Sequence, residues 1–184
     1  KLKEYANSKN VKIIGDMPIY PDYNSSEVFK NKDMYQLKDG FKYVSGASPD
    51  YFDEKGQKWG HPLYDFELMK KDNYKYLVNR YLDANKKFDI VRIDHFRAFD
   101  SYFKIPIDKE PKDGFYEEGP GYSLFDELFK NLPKNVKLIA IFGEVKHKIA
   151  FFAKKYKFNN FKIFDTLEQS VRFLYDNSKK GDVI

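Results

Sequence analysis

The run Val91-Arg92-Ile93-Asp94-His95-Phe96-Arg97 sets a carboxylate at the end of an apolar stretch, with a guanidinium two residues before it and an imidazole directly after it. Residues two apart on an extended strand share a face, so Arg92 and Asp94 point the same way. A guanidinium there favours a charged, oriented carboxylate, which is the form that attacks an anomeric carbon in a retaining glycosidic reaction. A structural Arg–Asp ion pair closing a strand accounts for the same spacing, and spacing alone does not separate the two. Asp16 repeats the arrangement at the end of Val11-Lys12-Ile13-Ile14-Gly15-Asp16. A lone Asp at such a place is most simply a turn former or helix N-cap. Two of them, each followed by an unusual aromatic or His-containing loop, point toward a site.

The elements that must carry these residues are short. Val11 to Asp16, Asp89 to Asp94, Val136 to Ile141 and Phe161 to Asp165 read as strands buried on both sides. Tyr74, Leu77, Val78 and Tyr81 follow a helical i, i+3, i+4, i+7 pattern before the second strand. Leu124, Leu128 and Phe129 do the same before the third, and Ile149 to Lys157 precedes the fourth. Strands alternating with helices give a parallel sheet, and in such sheets the carboxyl ends of the strands carry the chemistry. Asp16, Asp94 and Ile141 are therefore expected at one end of adjacent parallel strands. Between Pro18 and Phe66 regular pattern is scarce. The segment is rich in Asp, Asn, Ser, Gly and Pro, yet Tyr20, Tyr23, Tyr43, Tyr51, Phe52, Trp59 and Tyr64 argue against disorder. It reads as a folded insertion over a site.

Composition narrows the field. With 184 residues, 42% of them hydrophobic, there is enough apolar material for a core. No cysteine is present, which removes disulfides, thiol nucleophiles and cysteine-bound metals and fits a reducing cytoplasm. The net charge is +5, from 33 basic and 28 acidic residues. Only Arg80, Arg92, Arg97 and Arg172 are arginines, and a scattered lysine surplus is a solvated surface rather than a nucleic-acid footprint. No apolar run reaches the roughly 18 residues of a membrane span. Lys1 to Tyr5 lacks an initiator Met and an apolar leader core, and reads as the last turns of a helix in a chain cut at its start. His61, His95 and His147 have no metal-ligand spacing.

The stretch IVRIDHFRAF resembles the strand-four signature of the amylomaltase and disproportionating-enzyme family, the 4-alpha-glucanotransferases among glycoside hydrolases. Four more stretches resemble that family in the same order: IIGDMPIY (13–20), SPDYFDEKGQKWGHPLYD (48–65), SYFKIP (101–106) and EEGPGYSLFDEL (117–128). The resemblance implies a (β/α)8 barrel acting on α-1,4-glucans, of which residues 1–184 would supply about strands three to six as one domain truncated at both ends. Asp94 would be the nucleophile that forms a covalent glucosyl-enzyme, and Arg92 would hold it ionised. His95 would contact a sugar hydroxyl near the cleaved bond, and Asp16 would bind substrate. Tyr51, Phe52 and Trp59 would cover the acceptor side. Aromatic faces pack on the apolar faces of glucose rings; equally, these rings could simply hold the insertion in place. Asp16 has only Lys12 as a basic neighbour on its own strand, which suits hydroxyl binding better than attack.

The pattern breaks at strand five. A retaining mechanism needs two carboxyl groups about 5 Å apart, and the family's second carboxyl is a glutamate in a motif similar to IAEDLG. Here the stretch is Leu138-Ile139-Ala140-Ile141-Phe142-Gly143-Glu144, with either Ile141 in the glutamate's place or a one-residue gap there. An isoleucine transfers no proton. Glu144, the weak substitute, lies three residues on, roughly 10 Å along an extended chain. The resemblance thus implies glucan-segment transfer without a cofactor, but with this chain inactive. Two rivals stand beside it: a catalytically dead glucan-binding relative, and an α-glucan hydrolase of the same barrel ancestry.

Overall fold

In the computed structural model, residues 1–51, 53–132, 134 and 136–177 are described. In chain order the elements are α1 (Leu2–Ser8), β1 (Ile14–Met17), α2 (Ser26–Lys30), β2 (Tyr43–Ala47), β3 (Gln57–Lys58), α3 (Phe66–Lys70), α4 (Lys75–Lys87), β4 (Ile90–Ile93), β5 (Ser101–Pro106), β6 (Phe115–Glu118), α5 (Tyr122–Lys130), β7 (Ile139–Ile141), α6 (Lys146–Lys155), β8 (Phe161–Ile163) and α7 (Leu167–Asn177). They form two compact units. The first comprises Lys1–Met17, Lys75–Asp94 and the chain from Ser123 onward; the second comprises Pro18–Tyr74 and His95–Tyr122.

The first unit holds the expected alternation of strand and helix. β1 and β4 pair in parallel with Gly15 opposite Val91 and Asp16 opposite Arg92. Gly15 is required there, because a Cβ would lie 2.0 Å from the Phe88 ring. Asp89, just before β4, ties the start of this pair to α1. Its carboxylate accepts from the Ile13 amide at 2.8 Å and from Asn7 Nδ2 at 2.9 Å, with Lys3 Nζ at 3.3 Å. Burial of Asp89 opposes its charge, but these three donors outweigh it and hold the carboxyl below the usual aspartate range. The helical spacing of Leu77, Val78 and Tyr81 buries all three on α4. On α5 and α6, Phe125 and Phe152 meet edge to face at 5.8 Å. Burying each such ring is worth about 1.5–3 kcal/mol.

Two expectations change here. β7 pairs in parallel with β8, Ile141 opposite Ile163, and among the described residues it shares no ladder with β4. The expected adjacency of the Ile141 and Asp94 strands is therefore not carried by backbone pairing among the described residues. The segments pack instead through Ile90, Leu138 and Leu174, with Ala140 and Phe173 against them. Side-chain packing brings them together without backbone pairing. β1 also runs one residue past Asp16, to Met17, so Asp16 is its penultimate residue rather than its end.

The second unit corrects the view of residues 18–66 as a segment of little regular pattern. It contains α2, β2, β3 and the start of α3, and its strands join β5 and β6 in an antiparallel sheet of order β3-β2-β5-β6. Tyr43, Val44 and Ser45 face Pro106, Ile105 and Lys104, and Lys104 in turn faces Phe115. Gly46 permits the close approach of β3, since a Cβ would lie 2.2 Å from the Gln57 carbonyl oxygen. Tyr35, Leu63, Tyr64, Met69 and Phe99 are fully buried. Tyr64 stacks on Tyr35 at 5.3 Å and tilts against Phe66 at 5.7 Å. Its hydroxyl donates to the Ile19 carbonyl. Of the aromatics that argued against disorder, Tyr20 and Tyr64 belong to the core of this unit, whereas Tyr23 and Tyr51 are exposed.

Candidate active site

In the first unit, strand register builds the charged centre. Arg92 lies opposite Asp16 across the parallel pair, and Asp94 follows Arg92 by two residues on the same face. The guanidinium spans both: its Nη1 donates to Asp16 Oδ2 and its Nη2 to Asp94 Oδ1. Arg92 is largely covered while both carboxylates are half exposed, so the cation forms a floor and the two acids face solvent. The Asp94 amide donates to the Met17 carbonyl at 3.1 Å, which extends the ladder just past the strands and fixes the backbone that carries the acid. Asp16 thus has a basic neighbour after all. It comes from the next strand rather than from its own, which local sequence could not show.

The other expected acid/base positions are on β7 and in the turn that follows it. Ile141 is 5% exposed, an apolar core residue at the end of β7. Glu144 is exposed in the turn after Gly143, whose φ of 100° marks the reversal before α6. That turn is closed by the Lys146 amide donating to the Gly143 carbonyl at 3.2 Å. A further strand-end acid went unremarked in the sequence. Asp165 follows β8, accepts from Lys146 Nζ at 2.7 Å, and is held below the usual carboxylate range by that hydrogen bond. The FKIFD run carried the same signal as VKIIGD.

In the second unit, His95 takes a left-handed backbone, φ 49° and ψ 39°, at the entry to a 3-10 turn over Phe96–Phe99. The imidazole meets the Trp59 indole edge to face, with ring centroids 4.9 Å apart and planes at 90°. Trp59 is held from two sides. Its backbone amide donates to the Ser45 carbonyl at 3.0 Å, and its Nε1–H donates to Gln57 Oε1 at 2.9 Å. Tyr51 is 94% exposed. The turn that presents it is closed by the Asp50 amide on the Asp53 carbonyl at 3.0 Å and by the Asp53 amide on Asp50 Oδ1 at 2.9 Å. Ser48 Oγ and Tyr116 Oη share a hydrogen bond of 2.9 Å, which ties the start of this loop to β6. Arg97 lies 4.6 Å over the Tyr116 ring. Phe52 lies outside the described residues. Asp16, Arg92 and Asp94 are thus brought together in one unit, and Trp59 and His95 in the other.

Among the described residues no group of three or more His, Asp or Glu side chains could hold a metal ion, and no helix is long and apolar enough to cross a membrane.

Comparison with known proteins agrees with the motifs. The glycoside hydrolase 77 family model, described as 4-alpha-glucanotransferase, matches residues 1–180. The chain is 46% identical over 143 residues to the chloroplastic/amyloplastic 4-alpha-glucanotransferase of Arabidopsis thaliana, covering 76% of this chain and 25% of that one. It is 40% identical over 167 residues to the 4-alpha-glucanotransferase of Clostridium butyricum, covering 88% and 34%. The solved amylomaltase of Streptococcus agalactiae, in complex with acarbose, superposes with a TM-score of 0.71 at 33% identity, covering 84% of this chain and 32% of that chain. The chain thus spans about a quarter to a third of the length of these relatives.

Proposed function

The chain belongs to the 4-alpha-glucanotransferase family, and from that premise we propose that it carries the nucleophile half of a retaining glucan-transfer site. Residues 1–184 form part of one catalytic (β/α)8 barrel, with β1, β4, β7 and β8 as about its third to sixth strands. The parallel β1–β4 and β7–β8 pairs support this, as does the placement of Asp16 and Asp94 toward strand carboxyl ends. The substrates are maltooligosaccharides or longer α-1,4-glucans. Nucleic acid and membrane are not partners, the reaction calls for no cofactor, and the cysteine-free sequence suits the reducing cytoplasm.

The observation that carries the reading is the shared guanidinium. Arg92 fixes Asp94 by one nitrogen and Asp16 by another. Asp94 attacks the anomeric carbon, the glycosidic bond breaks toward its leaving oxygen, and a covalent glucosyl-enzyme forms. Arg92 holds the attacking carboxylate in one orientation, and Asp16 binds sugar hydroxyls. His95 contacts the sugar at the cleaved bond, while Tyr51 and Phe52 line the acceptor side.

The leaving oxygen needs a proton, and Ile141 has none to give. Glu144, three residues on and across the Gly143 turn, is a poor substitute. General acid–base catalysis supplies about 10²- to 10⁴-fold, so this chain transfers natural glucans poorly or not at all. Buried Ile141 also favours a second reading, a glucan-binding relative that has lost turnover.

α-Glucosyl fluoride separates the two, because fluoride departs without a proton. Incubation should add one anhydroglucose unit to the chain by intact mass, mapped by peptide sequencing to Asp94, and Asp94→Asn should prevent it. Glucan binding without any adduct would support the non-catalytic relative. An adduct that persists in Asp94→Asn would remove Asp94 as nucleophile.

A further inference from the structure

We propose that Trp59 is a positioning residue that acts through His95, fixing the imidazole that meets the sugar, instead of serving as a stacking platform for the glucan. The inference rests on the glucan-transfer reading and deepens it. Three observations carry it.

First, the indole has one hydrogen-bond donor, and Gln57 Oε1 takes it at 2.9 Å. That donor is spent inside the protein and is not offered to a sugar hydroxyl. Second, the indole and the His95 imidazole meet at 4.9 Å with planes at 90°, the edge-to-face arrangement that aromatic quadrupoles favour. Third, the His95 backbone is held in a left-handed conformation that a non-glycine residue keeps only when its surroundings impose it. Those surroundings are visible. Ala98 and Phe99 are fully buried, and the Phe99 and Asp100 carbonyls accept from the Gly121 and Gly119 amides at 2.7 and 2.9 Å. The backbone after His95 is thereby locked from one side, and Trp59 restrains the ring itself from the other. Trp59 is in turn fastened to β2 through the Ser45 carbonyl. A rigid strand therefore holds a rigid ring, and that ring sets the plane of the imidazole directly after Asp94.

A double-mutant cycle on this 184-residue chain tests the assignment, with maltoheptaose affinity measured by calorimetry for wild type, Trp59→Ala, His95→Ala and the double variant. Trp59→Ala alone should weaken binding about three- to tenfold, the scale of one aromatic pair. In the His95→Ala background the same substitution should cost less than twofold, since the residue it positions is gone. Trp59→Phe, which keeps an edge-to-face partner, should restore most of the affinity. Trp59→Leu, which fills the space without a π face, should not, and it serves if the alanine variant fails to fold. An undiminished Trp59→Ala effect without His95 would mean that the indole touches sugar itself, and the proposal would be wrong. It would be equally wrong if Trp59→Ala changed nothing while wild type bound. If wild type binds no maltoheptaose at all, the glucan reading falls and takes this inference with it.

Discussion

Asp16 and Arg92 are register partners across the parallel β1–β4 pair, and the guanidinium of Arg92 bonds both to Asp16 and to Asp94 two residues beyond it. One cation therefore organises two carboxylates, one of them 76 residues away from it in the chain. A planar fork aims separate donors at each carboxylate in fixed directions, whereas an ammonium is a point charge on a flexible stem.

Arg92→Lys should accordingly keep the fold and lose the orientation. Ion pairs to half-exposed carboxylates are worth about 0–1 kcal/mol each, so for the two together chemical denaturation should show a loss of no more than about 2 kcal/mol. The rate of Asp94 labelling by α-glucosyl fluoride should drop at least about tenfold, because the attacking oxygen is no longer fixed. Unchanged labelling would show that the bridge is only structural.

Ile141→Glu should have opposite effects on stability and chemistry. The site is 5% exposed, so a carboxyl there lacks solvent and should cost about 1–3 kcal/mol. If β7 presents this position to the glycosidic oxygen, the new acid should speed decay of the covalent adduct by about 10²-fold or more. Time-resolved intact mass reads the decay. An adduct as long-lived as before would place residue 141 away from the reacting bond.

Lys104 and Glu117 form an uneven pair. Their side chains are 11% and 44% exposed, and they meet at 2.6 Å with the ammonium 4.6 Å over the Tyr43 ring. Glu117→Gln strands a buried cation and should cost about 1–2 kcal/mol, below the full cost of breaking a deeply buried pair because water reaches Glu117. Lys104→Met leaves an acid that water can solvate and an apolar stem that still packs. It should cost less than about 1 kcal/mol. Urea midpoints for the two variants check the order, and a reversed order would disprove the reasoning.

Asp89 should dominate the acid limb of the first unit. Its folded pKa is depressed, so its contribution is fully present above the ordinary aspartate value near 3.9 and is lost as pH falls through the lower folded value. Asp89→Asn should lower stability at pH 7 and flatten the loss below about pH 4. Denaturant titrations at pH 7, 5, 4 and 3 would show it. Parallel curves for variant and wild type would assign the acid sensitivity to other carboxylates.

Much of the first unit was legible from local pattern. The apolar runs around Gly15 and Val91 mark β1 and β4 because a strand buried on both faces leaves no room for polar alternation, and the spacing of Leu77, Val78 and Tyr81 marks α4 because a helix repeats every 3.6 residues. The RIDHFR run singled out Asp94 and Arg92, since two residues on one strand meet by geometry alone. Tertiary structure decided everything that depends on which distant segments pair. Strand β2 finds its partner in β5, beyond α3, α4 and β4, so the antiparallel sheet is invisible in the loop-like stretch from Pro18 to Phe66. Register set Arg92 opposite Asp16, which its own strand left with only Lys12 for company. β7 found its ladder partner in β8, and Trp59 came to rest against His95. Local periodicity reports which face a residue turns. Which neighbour that face meets is settled by packing and loop closure over the whole chain, and no short window of sequence contains it.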